Sequence, residues 1–252
     1  MPTFFVEPTT LGQEQMAVIS GEDALHISRS LRLGPGDEIT IVARPGTEHR
    51  ARLEEVLPGL VRARIFASAN RRREPLTAIH VLQALPKGPG MAEVCERLTE
   101  LGASSIWPVI TDRTVPRLDS NKTAGRQARW QKIAREAAQL ANRHAIPRVE
   151  PPLPLLSAIS RLDDLIPTAQ RLACDARNAR LSLNSTPWDP TTPTVLLIGP
   201  EGGLSPAELE RLAPLGFLTV SLGPRNLRTL LAGAVALTIL LQRAGDLELQ
   251  RA

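Results

Sequence analysis

The 252-residue chain is long enough for one large domain or two smaller ones with a sizeable core. Apolar residues make up 42%, yet no apolar run approaches the roughly 18 residues that span a bilayer. Only two cysteines occur, Cys95 and Cys174, far apart and without metal-ligand spacing, which argues against a disulfide framework and a zinc site. The N-terminus, Met1–Pro8, lacks the basic start and apolar stretch of a signal peptide, so a cytoplasmic protein is expected.

The net charge is +4, carried almost wholly by arginine, since Lys87, Lys122 and Lys132 are the only lysines. Arginine recognises phosphate in bidentate fashion, which makes RNA or DNA a plausible partner. Arginine-rich usage also follows from a GC-rich genome, so charge alone decides nothing. Tyrosine is absent, and four Phe with three Trp are too few for a platform of stacked rings.

Residues 4–66 read as short β segments. Ala17–Ile19, Glu38–Val42, His49–Val56 and Val61–Phe66 are strand candidates, with turn signals at Gly34–Asp37 and Pro45-Gly46. A helix fits Glu22–Leu31. The charged, proline-terminated run Asn70–Pro75 breaks the pattern and is the best domain boundary. From Thr77 onward strands and helices alternate, which predicts a mostly parallel sheet. Thr77–Leu85 is a strand; Met91–Leu101 is an amphipathic helix stopped by Gly102. Ser105–Ile110 is the next strand, followed by a basic stretch from Arg113 to Arg148 with a helix near Gly125–Asn142. Arg171–Cys174, Val195–Ile198 and Phe217–Leu222 are further strands. The final helix, Thr229–Arg243, is apolar almost all round and is expected to be buried in the domain or at a subunit interface.

One segment stands out. The apolar run Val195–Ile198 ends in Gly199-Pro-Glu-Gly-Gly203, and a helix start follows at once: Ser205 as N-cap, Pro206 at the first helical position, Glu208 three residues after the cap. A bare-backbone loop at the carboxyl end of a parallel strand is where open α/β sheets bind ligands. A tight turn with no ligand is the plainer alternative. A nucleotide-phosphate loop fits poorly, because no lysine is near and Glu201 would repel phosphate.

Gly199–Ser205 and Leu222-Gly-Pro-Arg-Asn-Leu-Arg-Thr229 resemble the two loop motifs of the small-subunit ribosomal RNA methyltransferase E family. Glu96–Ala103 with Pro108 and Arg113, and Trp130–Ala138 with Arg143 and Pro147, are similar to its intervening segments. His26, Leu31-Arg32, Gly36 and Asp37 match its N-terminal pattern. The resemblance implies an α/β fold of SPOUT type with a C-terminal trefoil knot, residues 73–252, preceded by a small PUA-like RNA-binding β-barrel, residues 1–72. It implies a homodimer that uses S-adenosylmethionine, and no metal, to methylate N3 of one uridine in 16S ribosomal RNA of the small ribosomal subunit. Carried over by position, it implies a cofactor pocket from Cys174, Ile198, Gly199, Glu201, Gly202, Gly203, Leu222, Gly223 and Leu227. It makes Arg228 the residue that stabilises the developing uridine anion, with a structural arginine bound to loop carbonyls as the alternative. Arg29, Arg32 and Arg113 are the expected RNA contacts, with clusters at Arg71–Arg73 and along Arg113–Arg148. None of His26, His49, His80 and His144 matches a catalytic base.

The sequence departs from the family pattern after the second loop, where Leu-Arg-Thr-Glu-Thr-Ala is usual. Here it reads Leu227-Arg-Thr-Leu-Leu-Ala232, so Leu230 and Leu231 replace a carboxylate and a hydroxyl. Asn226 replaces an aliphatic residue, Leu140 a glutamine, and Gly90 a residue that is often charged. A SPOUT methyltransferase with another target, or a non-catalytic RNA-binding paralogue, therefore stay open.

Overall fold

The computed structural model describes residues 1–7, 15–115 and 120–248; residues 116–119 of the basic stretch and Pro8 at the end of the N-terminal stretch lie outside them. The chain divides into two compact units. The first comprises Met1–Glu74 together with Ala138–Ala145, and the second Pro75–Ala137 together with Ile146–Ala252. A division in sequence at residue 72 does not anticipate the return of residues 138–145 to the first unit.

The first unit is built on a five-stranded sheet. Its strands are β1 (Thr3–Phe5), β2 (Met16–Ser20), β3 (Glu38–Arg44), β4 (Thr47–Leu57) and β5 (Leu60–Asn70), in the order β1-β3-β4-β5-β2. Only β1 and β3 run parallel. Val61, Ala63 and Ile65 of β5 are buried while Arg62, Arg64 and Phe66 between them are exposed, the period-2 pattern of a sheet with one solvated face. The expected helix near residue 22 forms differently: a short α1 (Gly21–Leu25) passes into one π-helical turn, His26–Ser30. Arg32 follows in the left-handed region at φ 54°. Glu74 staples the returning segment. Its carboxylate accepts bonds from the buried Arg143 guanidinium and from the backbone N–H groups of His144 (2.8 Å) and Ala145 (3.1 Å).

The second unit is an eight-stranded sheet with all its pairings parallel. Its strands are β6 (Ile79–Ala84), β7 (Ser105–Ile110), β8 (Arg148–Val149), β9 (Leu153–Pro154), β10 (Gln170–Cys174), β11 (Leu181–Ser182), β12 (Thr194–Ile198) and β13 (Phe217–Ser221). The order is β11-β13-β10-β12-β6-β7-β8, with β9 also on β7. Both faces are covered, and the alternation within β12 shows how. Leu196 and Ile198 pack with residues of α2 (Met91–Glu100), α3 (Ser120–Leu140) and α6 (Thr229–Arg243). Val195 and Leu197 pack with α4 (Leu155–Leu165) and with Leu212 of α5 (Pro206–Leu212). Fully buried central strands need no polar face, which is why Val195–Ile198 reads as a continuous apolar run.

Helix α6 buries one stripe, Gly233, Ala236, Leu237, Leu240 and Leu241, inside its own unit, while Leu231 on another side is 44% exposed. Helix α4 was not anticipated, although Leu155, Ala158, Ile159 and Leu162, its buried residues, have helical spacing.

Candidate active site

Three loops at the carboxyl ends of neighbouring strands β10, β12 and β13 enclose a cavity of about 240 Å³. Ligand pockets typically run from ~300 to ~1,000 Å³, so this cleft sits just below that range. Cys174–Arg177 line it after β10, Ile198–Glu201 with Gly203 after β12, and Leu222, Gly223 and Arg225–Thr229 with Ala232 after β13.

Of the residues singled out from sequence, Cys174, Ile198, Gly199, Glu201, Gly203, Leu222, Gly223, Leu227 and Arg228 all line this one cavity. Gly202 does not. It backs onto Arg113, where an added Cβ would stand 3.4 Å from the arginine side chain. Gly203 (φ 71°) and Gly223 (φ 110°) hold a backbone conformation that L side chains rarely adopt. Asp175, Arg177, Arg225 and Asn226 line the cavity without having been named as site residues; Arg225 and Asn226 lie within the second loop motif and Asp175 is next to Cys174, so these three lay within reach of sequence reasoning.

The glycine loop is fixed from several directions. The expected capping box forms, with Glu208 N–H donating to Ser205 Oγ (3.1 Å) and Ser205 N–H to Glu208 Oε2 (2.7 Å). Ser205 Oγ in turn donates to Asp112 (2.6 Å). Arg113 donates to the carbonyls of Gly202 (2.8 Å) and Leu204 (3.2 Å). Its guanidinium, expected at RNA, therefore holds the loop. Lys87 N–H donates to Glu201 Oε1 at 3.0 Å.

A buried relay fixes the loop from below. The Thr229 hydroxyl donates to the Gly199 carbonyl at 2.6 Å. Having one proton, it must accept from Gln83 Nε2, 3.1 Å away. Gln83 is fully buried and its Nε2 also donates to the Ala84 carbonyl, which fixes the amide orientation. A Cβ at position 233 would approach Gln83 Oε1 to 3.1 Å, so the glycine there leaves the amide its room.

Arg228 is exposed at the N-cap of α6, where its carbonyl accepts from the N–H groups of Leu231 and Ala232, both at 2.9 Å. Among the described residues its guanidinium binds no carbonyl and no carboxylate, so it does not act as a structural clamp. Burial, reinforced by the neighbouring Asp175 carboxylate, pushes the Cys174 thiol up to about 12, which leaves it protonated and poorly nucleophilic. None of the four histidines lines the cavity. His144 meets Glu48, His80 meets Ser105, His49 meets Ser68, and His26 lies edge-on to Phe4.

Two of the departures from the family pattern touch each other. A Cβ at Gly90 would meet Leu230 Cδ2 at 2.5 Å, so the leucine occupies the space a side chain at position 90 would need. Leu231 points away, Asn226 lines the cavity, and Leu140 is exposed.

The RNA methyltransferase domain family matches residues 72–241. Ribosomal RNA small subunit methyltransferase E of Bacillus subtilis is 32% identical over 94% of this chain and 95% of its own length. The chain belongs to the ribosomal RNA small subunit methyltransferase E family. The Mycobacterium tuberculosis member is 30% identical over 88% of this chain and 84% of its own. Among solved structures, the family member from Neisseria gonorrhoeae, bound to S-adenosyl methionine, is 28% identical, with a TM-score of 0.85 over 96% of this chain and 98% of that one. A methyltransferase from Legionella pneumophila in complex with the cofactor SAM is 29% identical, with the same TM-score and coverage.

Arg29 and Arg32 lie in the first unit, both exposed, and among the described residues neither has an ion pair. Arg71 and Arg73, of the cluster expected to contact RNA phosphates, lie 3.6 Å and 2.7 Å from Glu48. Among the described residues no cluster of His, Cys, Asp and Glu could hold a metal, and no helix is long and apolar enough to cross a membrane.

Proposed function

We propose that this chain is an S-adenosylmethionine-dependent methyltransferase acting on N3 of one uridine in 16S ribosomal RNA. The observation that carries the reading is the convergence of nine motif residues from three loops on one cavity, at the strand ends where α/β sheets bind ligands. The same reading makes the second unit a SPOUT domain with a C-terminal knot and the first a PUA-like RNA-binding barrel. It makes the working form a cytoplasmic homodimer, to which the exposed side of α6 contributes.

The cavity suits the cofactor chemically. Ile198, Leu222, Leu227 and Ala232 supply apolar walls for an adenine, and the two glycine-containing loops bring bare backbone within reach. The carboxylates of Asp175 and Glu201 complement a cationic sulfonium. When bound, the cofactor supplies an electrophilic methyl group. The protein's share of the chemistry is then mainly alignment, which is worth roughly 7–11 kcal/mol when geometry is well held. Thr229, Arg113 and the capping box hold the loop backbone for that purpose.

Uridine N3 must lose a proton before it can accept a methyl group. Arg228 would stabilise the resulting anion, a role supported by its position in the cavity lining, where no histidine lies. The base is drawn out of its stack to reach the cavity, while Arg29 and Arg32 hold phosphates without reading sequence. Calorimetry with S-adenosylmethionine tests the cofactor claim, and absence of binding at millimolar cofactor rules out the enzyme. Nucleoside mass analysis of ribosomal RNA from a deletion strain tests the target. One N3-methyluridine should disappear, and an unchanged profile refutes the assignment.

The Leu230–Gly90 contact favours one second reading, a paralogue that binds RNA without methylating it. An apolar pair stands there where the family usually carries polar groups. Cofactor binding without any change in the modified nucleosides would identify it.

A further inference from the structure

The cavity carries three arginines, and anion stabilisation at uridine N3 needs only one. Arg177 and Arg225 line it beside Arg228, and all three are exposed. Most arginines of the second unit that have partners are tied down. Arg171 holds Asp163 and the Leu215 carbonyl, Arg243 the carbonyls of Leu183 and Thr186, and Arg113 those of Gly202 and Leu204. Among the described residues, none of Arg177, Arg225 and Arg228 has an ion pair or a side-chain hydrogen bond.

The nearby carboxylates do not answer these charges. Asp175 Oδ1 accepts from the backbone N–H groups of Arg177 (2.8 Å) and Asn178 (3.1 Å), and its Oδ2 from the Asn178 amide (3.3 Å). Glu201 is bound to the Lys87 N–H. Asp175 therefore shapes the turn that carries Arg177 and leaves the guanidinium free. The other loop is also built: Gly223 N–H donates to Ser221 Oγ at 3.1 Å and the glycine holds φ 110°, which sets the path into Pro224-Arg225.

Three exposed arginines without side-chain partners thus border one cavity, and an anion would answer them. The sulfonium of the cofactor is itself a cation, complemented by the Asp175 and Glu201 carboxylates, and offers these arginines nothing. The cofactor carboxylate offers a single anion. A phosphodiester backbone offers several, each able to accept the bidentate fork of a guanidinium. We propose, on the basis of the methyltransferase reading, that Arg177 and Arg225 bind backbone phosphates of the RNA next to the target nucleotide, at the mouth of the cavity.

The test uses the full-length protein, an in vitro 16S ribosomal RNA transcript and S-adenosylmethionine. Arg177→Gln, Arg225→Gln and the double variant are compared with wild type for RNA affinity across a salt series and for cofactor affinity by calorimetry. The double variant should bind RNA at least tenfold more weakly, and its salt slope should fall by about one per arginine. Its cofactor Kd should stay within twofold. Arg177→Lys with Arg225→Lys should keep the slope while losing affinity, because charge remains and the fork is gone. RNA affinity and slope equal to wild type overturn the proposal, as does weakened cofactor binding with RNA binding intact, which would give the arginines to the cofactor carboxylate. Failure of wild type itself to bind cofactor or RNA overturns the methyltransferase reading and this assignment with it.

Discussion

Replacing Thr229 by valine removes a hydroxyl and keeps the shape. Thr229 is 4% exposed and Gln83 is fully buried, so water cannot take the vacated place beside the glutamine. A buried donor left unsatisfied costs ~1–3 kcal/mol, and Gln83 Nε2 keeps only its bond to Ala84. The Gly199 carbonyl lies in a half-buried loop and can be partly hydrated, adding ~0.5–1.5 kcal/mol. The expected loss is about 2–4 kcal/mol, or a few degrees in Tm per kcal/mol for a protein of this size. Trp107, Trp130 and Trp188 all belong to the second unit, so tryptophan fluorescence in urea follows the unit concerned. Cofactor affinity should drop about tenfold, since the loop backbone loses its pin. Thr229→Ser keeps the hydroxyl and should recover most of both losses. If the valine variant matched the serine variant in stability and cofactor binding, the relay would have no role.

Gly102 follows α2 at φ 103°, and an added Cβ would meet Pro75 Cγ at 2.5 Å. Gly102→Ala combines backbone strain with a clash against a ring, so urea unfolding should show a loss of about 2–4 kcal/mol. Glu74→Ala leaves the Arg143 guanidinium, 4% exposed, without its carboxylate; a loss of ~2–4 kcal/mol is expected in thermal unfolding, and an unchanged Tm contradicts it. The thiols of Cys95 and Cys174 are both raised by burial to about 12 from an ordinary value of 9.0. The native state thus holds protons that the unfolded chain releases, so their contribution is complete below pH 9 and is lost as pH rises from there toward 12. Iodoacetamide at pH 8 should label the buried Cys95 slowly in the native protein and rapidly in urea, whereas fast native labelling would contradict its burial.

Much of the candidate site was legible because its chemistry is local. Ser205, Pro206 and Glu208 encode a helix start within four residues, and the bare run before them can only be a loop. The ordered pair of glycine loops supplied the rest through resemblance. What sequence could not supply was pairing across distance. Nothing near Gln83 announces that it reaches Thr229, nor that Gly90 and Leu230 share one space. Arg113 reads as an RNA contact by resemblance, and nothing local reveals that it binds two loop carbonyls 89 and 91 residues away. The helix near residue 22 differs from its sequence pattern: Glu22–Leu31 has the period of one α-helix, while the chain forms α1 followed by a π-helical turn at His26–Ser30.

The segment Ala138–Ala145 makes the two units inseparable by a single cut. The chain crosses between them three times, after Glu74, after Ala137 and after Ala145. A fragment ending at residue 74 lacks Asn142, which receives the Thr3 hydroxyl bond, and the Arg143 that Glu74 holds. The N-terminal unit is therefore no cassette to be trimmed from a gene or grafted onto another protein as a contiguous piece. Its inheritance is bound to that of the helix that threads back into it, so any recombination event that kept it whole had to carry at least the first 145 residues together.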